Sequence, residues 1–213
     1  MVQTDYIIRM IEQLGAFLWA IVFNKKVQNY DLALEKIEEA YNGLLHVNAD
    51  ELKKLSANEI IKNNTYKNVL DKENIEIISN LLFEEADIIE RKNGPNITSF
   101  EYYTKSIELF FALLTENETK DFHKNIDEII NKLANYEIDN WLEYEIYKYY
   151  MKRKLYGKAE DILYQLLESN YKNIKDEIKM FYKNLLKKDD SDLEEGNLPR
   201  NEIIEGIKDL EYV

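Results

Sequence analysis

An all-α fold follows from three observations. Apolar residues recur at helical spacing along most of the chain, no stretch alternates apolar and polar residues as a strand would, and the helix-interrupting residues are scarce, with six glycines and two prolines among 213 residues. A 45% hydrophobic content supplies a sizeable core and excludes wholesale disorder.

Helices are expected near 4–25, 30–45, 49–64, 73–92, 98–115, 121–135, 139–155, 157–169 and 173–188. The first contains Leu14 to Phe23, an uncharged run of ten residues, half the roughly 20 that a membrane-spanning helix needs. A run apolar on every side is buried all round in a stack, or half buried with the rest forming a homodimer seam. Asn29 precedes the second helix and Asp71 the fourth, and Ser56 with Glu59 fits a capping box inside the third. Lys92-Asn-Gly94-Pro95-Asn96 is the strong interior break, since glycine accepts a left-handed helix end and proline cannot continue the helix. It divides the halves 1–93 and 97–188 of a single domain spanning 1–188. Thr98 with Glu101 fits a second capping box, and Asp139 and Asn173 precede further periodic runs. Residues 189–198 are acidic and lack periodicity, which reads as a solvated linker. From 199 to 213, Pro199 opens a short helix whose Ile203, Ile204, Ile207 and Leu210 share one face, the pattern of a segment that docks.

Two segments fit one template: Tyr30, Ala33, Ile37 and Ala40, and Tyr156, Ala159, Leu163 and Leu166. Tyr103, Ser106, Phe110 and Leu113 form a weaker third copy. On these residues the chain resembles the tetratricopeptide repeat, although its first helices depart from that pattern, with Ile21 and Tyr147 at positions that are usually small. The resemblance implies stacked antiparallel helical hairpins in an irregular α-solenoid or superhelix that binds proteins rather than catalysing. The opening segment Asp5-Tyr-Ile-Ile-Arg9-Met-Ile-Glu12-Gln13-Leu-Gly15 also resembles the start of a family of small helical bacterial proteins of unknown function.

The repeat register implies a binding groove lined by the first helix of each hairpin. Leu18, Val22, Lys25 and Lys26 would line it in one copy, and Trp141, Tyr144, Lys148, Met151 and Lys152 in the other. Such a basic and aromatic groove suits an acidic peptide or a C-terminal carboxylate; the competing reading places Trp141 and Tyr144 in the inter-helix core. The partner-binding candidates are therefore Lys25, Lys26, Trp141, Tyr144, Lys148, Met151 and Lys152. The tail helix, carried on its acidic linker, could occupy the same groove as an internal competitor.

Charge points the same way. Net charge is −5 over residues 1–93, −1 over 94–188 and −7 over 189–213, a total of −13 that disfavours duplex nucleic acid as a partner. The basic, tyrosine-rich stretch from Lys148 to Lys154 keeps RNA binding open as an alternative, as the acidic total does for mimicry of DNA. No catalytic signature is present. His46 and His123 lack metal-binding spacing, Gly157-Lys158 lacks a phosphate loop, and there is no nucleophile elbow. Asp190, Asp192 and Glu194 do not complete a calcium loop. Glu84, Glu85, Asp87 and Glu90 read as the solvated face of an amphipathic helix, and only as a further alternative as an enzyme's carboxylate and tyrosine site. No cofactor or metal is expected. With no cysteine, no membrane span, and Asp5 and Glu12 where a signal peptide is basic, the expected location is the cytoplasm.

Overall fold

A computed structural model describes residues 2–114 and 120–212, with side chains over 13–114 and 122–210. The chain is all-helical apart from one short hairpin, and forms two compact units, Met1–Tyr136 and Glu137–Val213.

In the first unit, α1 (Val2–Lys26) packs on α2 (Tyr30–Ala40), which continues through a π-helical turn (Tyr41–Leu45). The short helices α3 (Ala49–Lys54) and α4 (Ala57–Asn63) and the hairpin β1 (Thr65–Tyr66) and β2 (Val69–Leu70) lead into α5 (Lys72–Asn93), α6 (Ile97–Leu113) and α7 (Lys120–Leu133). The α5–α6 pair makes the most extensive helix contact of the chain, and α5 also touches α1, α2 and the π-helical turn. Ile21, Ile37, Ile75, Leu81, Ile107 and Phe110 are fully buried between these helices. The Gly94-Pro95 break thus lies inside a unit. Gly94, at φ 75°, ends α5 in a conformation that suits glycine, and Asn96 starts α6, so the two longest helices of the α5–α7 run double back on each other.

Local details depart from the sequence expectation where a side chain found a better hydrogen bond. Asn96, rather than Thr98, caps α6, its Oδ1 accepting from Thr98 N and Ser99 N at 3.0 and 3.2 Å. The Ser56/Glu59 box forms as expected and Asp71 caps α5, but the Ser56 cap divides the expected 49–64 helix into α3 and α4. Asn29, Asp139 and Asn173 make no side-chain cap bond. The strand pair was not expected: Lys67 and Asn68, both at positive φ, form its two-residue turn, and only two residues flank the turn on each side, too few to show alternation. The end of the expected 98–115 helix lies outside the described residues.

In the second unit, α8 (Asn140–Lys152) packs on α9 (Tyr156–Glu168), α9 on α10 (Ile174–Leu185), and α10 on α12 (Arg200–Tyr212). The stretch read as a solvated linker instead forms α11 (Asp190–Glu195), with Leu193 and Leu198 buried. Asp192 explains the difference, because it accepts from Lys154 Nζ at 2.7 Å and from the Tyr156 hydroxyl at 3.0 Å. Those bonds hold its carboxyl down at about 2. Arg200 donates to the Leu186 and Lys188 carbonyls and pairs with Asp190, fastening the start of α12 to the end of α10. Ile203 is fully buried, whereas Ile204, from the same expected face, is 42% exposed.

The α11 turn requires two backbones to touch. Gly157 N donates to Gly196 O at 3.0 Å, and a Cβ on Gly196 would press into the Tyr156 ring and lie 2.7 Å from the Lys154 carbonyl oxygen. Gly196→Ala is expected to cost about 1–3 kcal/mol and to expose 189–198 to limited proteolysis. Equal cleavage resistance in variant and native chain would refute this packing.

Candidate functional site

The α8 candidates lie on one helix face, because positions 141, 144, 148, 151 and 152 are spaced by whole turns. The opposite side, with Leu142, Ile146, Tyr149 and Tyr150, is buried. Trp141 is 51% exposed, so it is not a core residue. Tyr144 is half-buried between Tyr147 and Tyr171, at ring-centroid distances of 5.5 and 5.9 Å. Burial, followed by the nearby Glu177, raises its hydroxyl pKa. Lys148 Nζ sits 5.5 Å from the Tyr144 ring centre and 2.5 Å from Glu145 Oε1. Met151 is half-buried and Lys152 is exposed in the last turn. Tyr147 continues the aromatic series inward, edge-on to Phe181 and donating to Glu177 Oε1 at 3.2 Å.

Lys25 and Lys26 belong to the other unit and behave differently from each other. Lys26 is exposed, but the Lys25 side chain is only 14% exposed, its Nζ lying 2.5 Å from Glu84 Oε2 and 2.9 Å from Asp87 Oδ2. Lys25 is a buried ion-pair partner rather than a groove cation.

Those contacts overturn the solvated-face reading of α5. The side chains of Glu84, Glu85, Asp87 and Glu90 are between 3% and 13% exposed, because α1, α2 and α6 all pack against this helix. Around Asp87 the charges balance: Lys25, Lys132 and Arg91 reach it at 2.9, 2.6 and 2.8 Å, Lys25 also holds Glu84, and Lys132 also holds Glu90. Tyr103 and Tyr136 donate to Glu90 at 3.0 and 2.9 Å, and the Tyr136 hydroxyl also shares a 2.8 Å hydrogen bond with Ser99. Burial alone would raise the Asp87 carboxyl, but hydrogen bonds from Lys132, Lys25 and Arg91 outweigh it and hold Asp87 at about 2. Glu90 is lowered in the same way, against burial. For Glu84 and Glu85 burial wins and both rise, despite Lys25 and Lys53.

A second buried group centres on Lys53, which bonds Glu38 and Glu85 at 2.8 Å each and lies over the Tyr41 ring. The Tyr41 hydroxyl and Glu85 Oε2 are buried with no hydrogen-bond partner, which keeps this group costly. Beside it, a cleft of about 750 Å³ opens between α3–α4 and α6, lined by Asp50, Lys54, Tyr102, Lys105 and Glu108 among others. Lys105 donates to the Lys53 carbonyl at 2.6 Å, satisfying the end of α3, and burial lowers its amine pKa. The cleft carries charges of both signs and selects no ligand class. Among the described residues, no cluster of three His, Asp or Glu is placed to hold a metal, and no helix is long and apolar enough to cross a membrane.

Fold and sites together leave the family to be stated. A family of unknown function, DUF6483, matches residues 1–212. The chain belongs to the DUF6483 family. No curated protein and no solved structure matches it. What marks this DUF6483 chain is the ionic layer on α5, which sequence reading missed. A partial signal was available: Ile75, Ile77, Ile78, Leu81, Leu82, Phe83, Ala86 and Ile88 flank Glu85 and Glu90 around the helix, whereas Glu84 and Asp87 share a polar stripe with Glu76 and Asn80 and look solvated.

The pH dependence follows from these shifts. Asp87 sits at about 2, below its ordinary 3.8, so its stabilisation is complete above 3.8 and is lost as pH falls toward 2. Glu84 and Glu85 are raised and act with opposite sign, favouring the fold once protonated. Asp87→Asn should cost about 3 kcal/mol near neutral pH by leaving buried cations underpaired. It should also flatten the loss of stability between 3.8 and about 2. Thermal melts of both chains across that range test this, and parallel curves would contradict the assignment.

Proposed function

We propose that the protein is a non-catalytic helical interaction module, an adaptor or regulator that binds an acidic protein segment along the exposed face of α8. The observation that carries the reading is the row Trp141, Tyr144, Lys148, Met151 and Lys152, with Trp141 half exposed and Tyr144 held in place by its aromatic neighbours. A rigid aromatic anchor beside cations suits a peptide that carries carboxylates and an apolar side chain. Lys26, although exposed, belongs to the first unit and is not part of this row.

The tetratricopeptide-like reading of the hairpins supports the same function. In the two best copies the template residues Ala33, Ile37, Ala40, Tyr156, Ala159, Leu163 and Leu166 are buried, and Tyr30 is half-buried. They allow α1–α2 and α8–α9 to pack closely and leave the first helix of each hairpin to meet a partner. The acidic tail engages Lys154 rather than Lys148, so it does not cover the row as an internal competitor. The RNA reading draws on the same stretch, but Lys148 and Lys154 already pair with Glu145 and Asp192, and Arg153 donates to Tyr149. That leaves a weak field for phosphates. The carboxylate and tyrosine groups of α5 are enclosed and ion-paired, an arrangement that serves packing better than catalysis.

Peptide display against the native chain should enrich segments rich in Asp and Glu with an aromatic or aliphatic anchor. In a Trp19→Phe background, Trp141 emission should report binding of a selected peptide. Lys148→Glu with Lys152→Glu should weaken that binding about tenfold or more, with a loss of salt sensitivity. Selection without acidic bias, or binding untouched by the charge reversal, would reject the reading.

A further inference from the structure

Among the described residues of the first unit, α1 carries an uncovered apolar surface. Among the described side chains of α1 the exposed residues are Gln13, Gly15, Ala16, Trp19, Val22, Phe23 and Lys26, continued by Val27, a stripe in which Lys26 is the one charge. Trp19 is 69% exposed, Val22 45%, Phe23 48% and Val27 54%. Trp19 and Phe23 stack on each other in the open, with ring centres 5.3 Å apart and planes 11° from parallel. The other side of the helix is committed, with Ile21 fully buried, Asn24 buried and Lys25 paired to α5. Of the two readings the sequence allowed for Leu14 to Phe23, burial on all sides is therefore excluded.

Beside this projecting stack lies a depression of similar character. A groove of about 440 Å³ is lined by Ala16, Phe17, Ala20 and Gly43, together with Gln13 and Lys36. Its floor is low because Ala16, Ala20 and Gly43 are small. A projection and a receptor that share one helix satisfy the requirement for an isologous contact, in which the same patch serves both copies.

We propose that the exposed face of α1 is the seam of a homodimer, in which the Trp19–Phe23 stack of each copy enters the Ala16–Ala20 groove of the other. The helices run antiparallel about a two-fold axis near residues 19 and 20. Val22 then faces Phe17, and Lys26 faces Gln13, so no like charges meet. An aromatic side chain buries roughly 150–250 Å². Two stacks and the two grooves that receive them therefore bury on the order of 1,000 Å², the lower bound for a specific interface. The dimer is consequently weak and depends on concentration. Because each copy carries a net charge of −13 and the seam pairs no opposite charges, added salt strengthens the association by screening the repulsion between copies.

Sedimentation velocity of the full chain over a range of concentrations, at low and moderate salt, tests the seam. The expected result is a monomer–dimer equilibrium that shifts toward dimer with salt. Trp19→Glu, which removes the projection, and Gly43→Leu, which fills the groove, should each weaken it at least tenfold, as loss of a buried aromatic anchor does, while the melting temperature at concentrations where the native chain is monomeric stays unchanged. A Cβ at Gly43 makes only an ordinary 3.6 Å contact with Phe17, so the second variant remains a valid test if the first misfolds. A chain that stays monomeric throughout, a dimer indifferent to both substitutions, or open-ended growth beyond two copies would overturn the proposal. So would a monomer that binds phosphatidylcholine vesicles through Trp19, since the stripe would then face lipid.

Discussion

The carboxylates buried on α5 are the constraint on which the first unit depends. Removing Asp87 and its neighbours from water costs several kcal/mol per ion unless a cation and hydrogen bonds accompany them. The cations arrive from separate elements: Lys25 from α1, Lys53 from α3, Lys132 from α7, and Arg91 from α5 itself. Each surrounding helix must therefore stop at the position where its lysine meets its carboxylate. An apolar α5 could accept a neighbour that had slid or rotated by a turn, whereas an α5 with charges at 84, 85, 87 and 90 cannot. The ion pairs thus contribute to register more than to net stability, in the manner of a polar residue that fixes alignment in a helical bundle.

The parts of the fold legible in the sequence were those governed by local chemistry. Helical periodicity gave the element order, and the Ser56/Glu59 box and the Asp71 cap lay where their side chains implied. The misreadings all involve competition decided by tertiary contact. Residues 189–198 looked solvated because six of the ten are charged or asparagine, and Asp189, Asp190 and Asp192 precede any apolar period. Nothing local shows that Lys154, Tyr156 and Lys188 converge on Asp192 and that Leu193 has a core to enter. Position 25 carries the same lesson in reverse. Lysine at a helix end reads as a wet, dipole-compensating residue, and only the placement of α5 shows that its charge is consumed internally.

Along α8 the sequence carried more of the answer. The one-face spacing of 141, 144, 148, 151 and 152 was readable, but whether Trp141 and Tyr144 are core or surface was not, because periodicity alone favours the core for aromatic residues. The structure divides that choice residue by residue, with Trp141 outside and Tyr147 inside, and Tyr144 bridging them through ring contacts on both sides. A tyrosine-rich helix favours such a gradient, because each ring can bury its body while a hydroxyl finds Glu177 or another acceptor.

An acidic protein that uses its cations to neutralise buried carboxylates has few left for its surface. Of the lysines expected in a groove, Lys25 is consumed within the first unit and Lys148 leans on both Glu145 and Tyr144. Association through charge alone would be weak under these conditions, since the −13 background opposes acidic partners at long range. Exposed rings are the physical remedy, because apolar burial is indifferent to net charge and gains from screening. The two tryptophans follow that logic on different elements. Trp141 has cations beside it and suits a charged segment that must first be attracted, while Trp19 lies beside Phe23 and Val22 and suits a surface that must avoid repelling its own copy. Salt therefore acts with opposite sign at the two places, which makes it the variable that separates them.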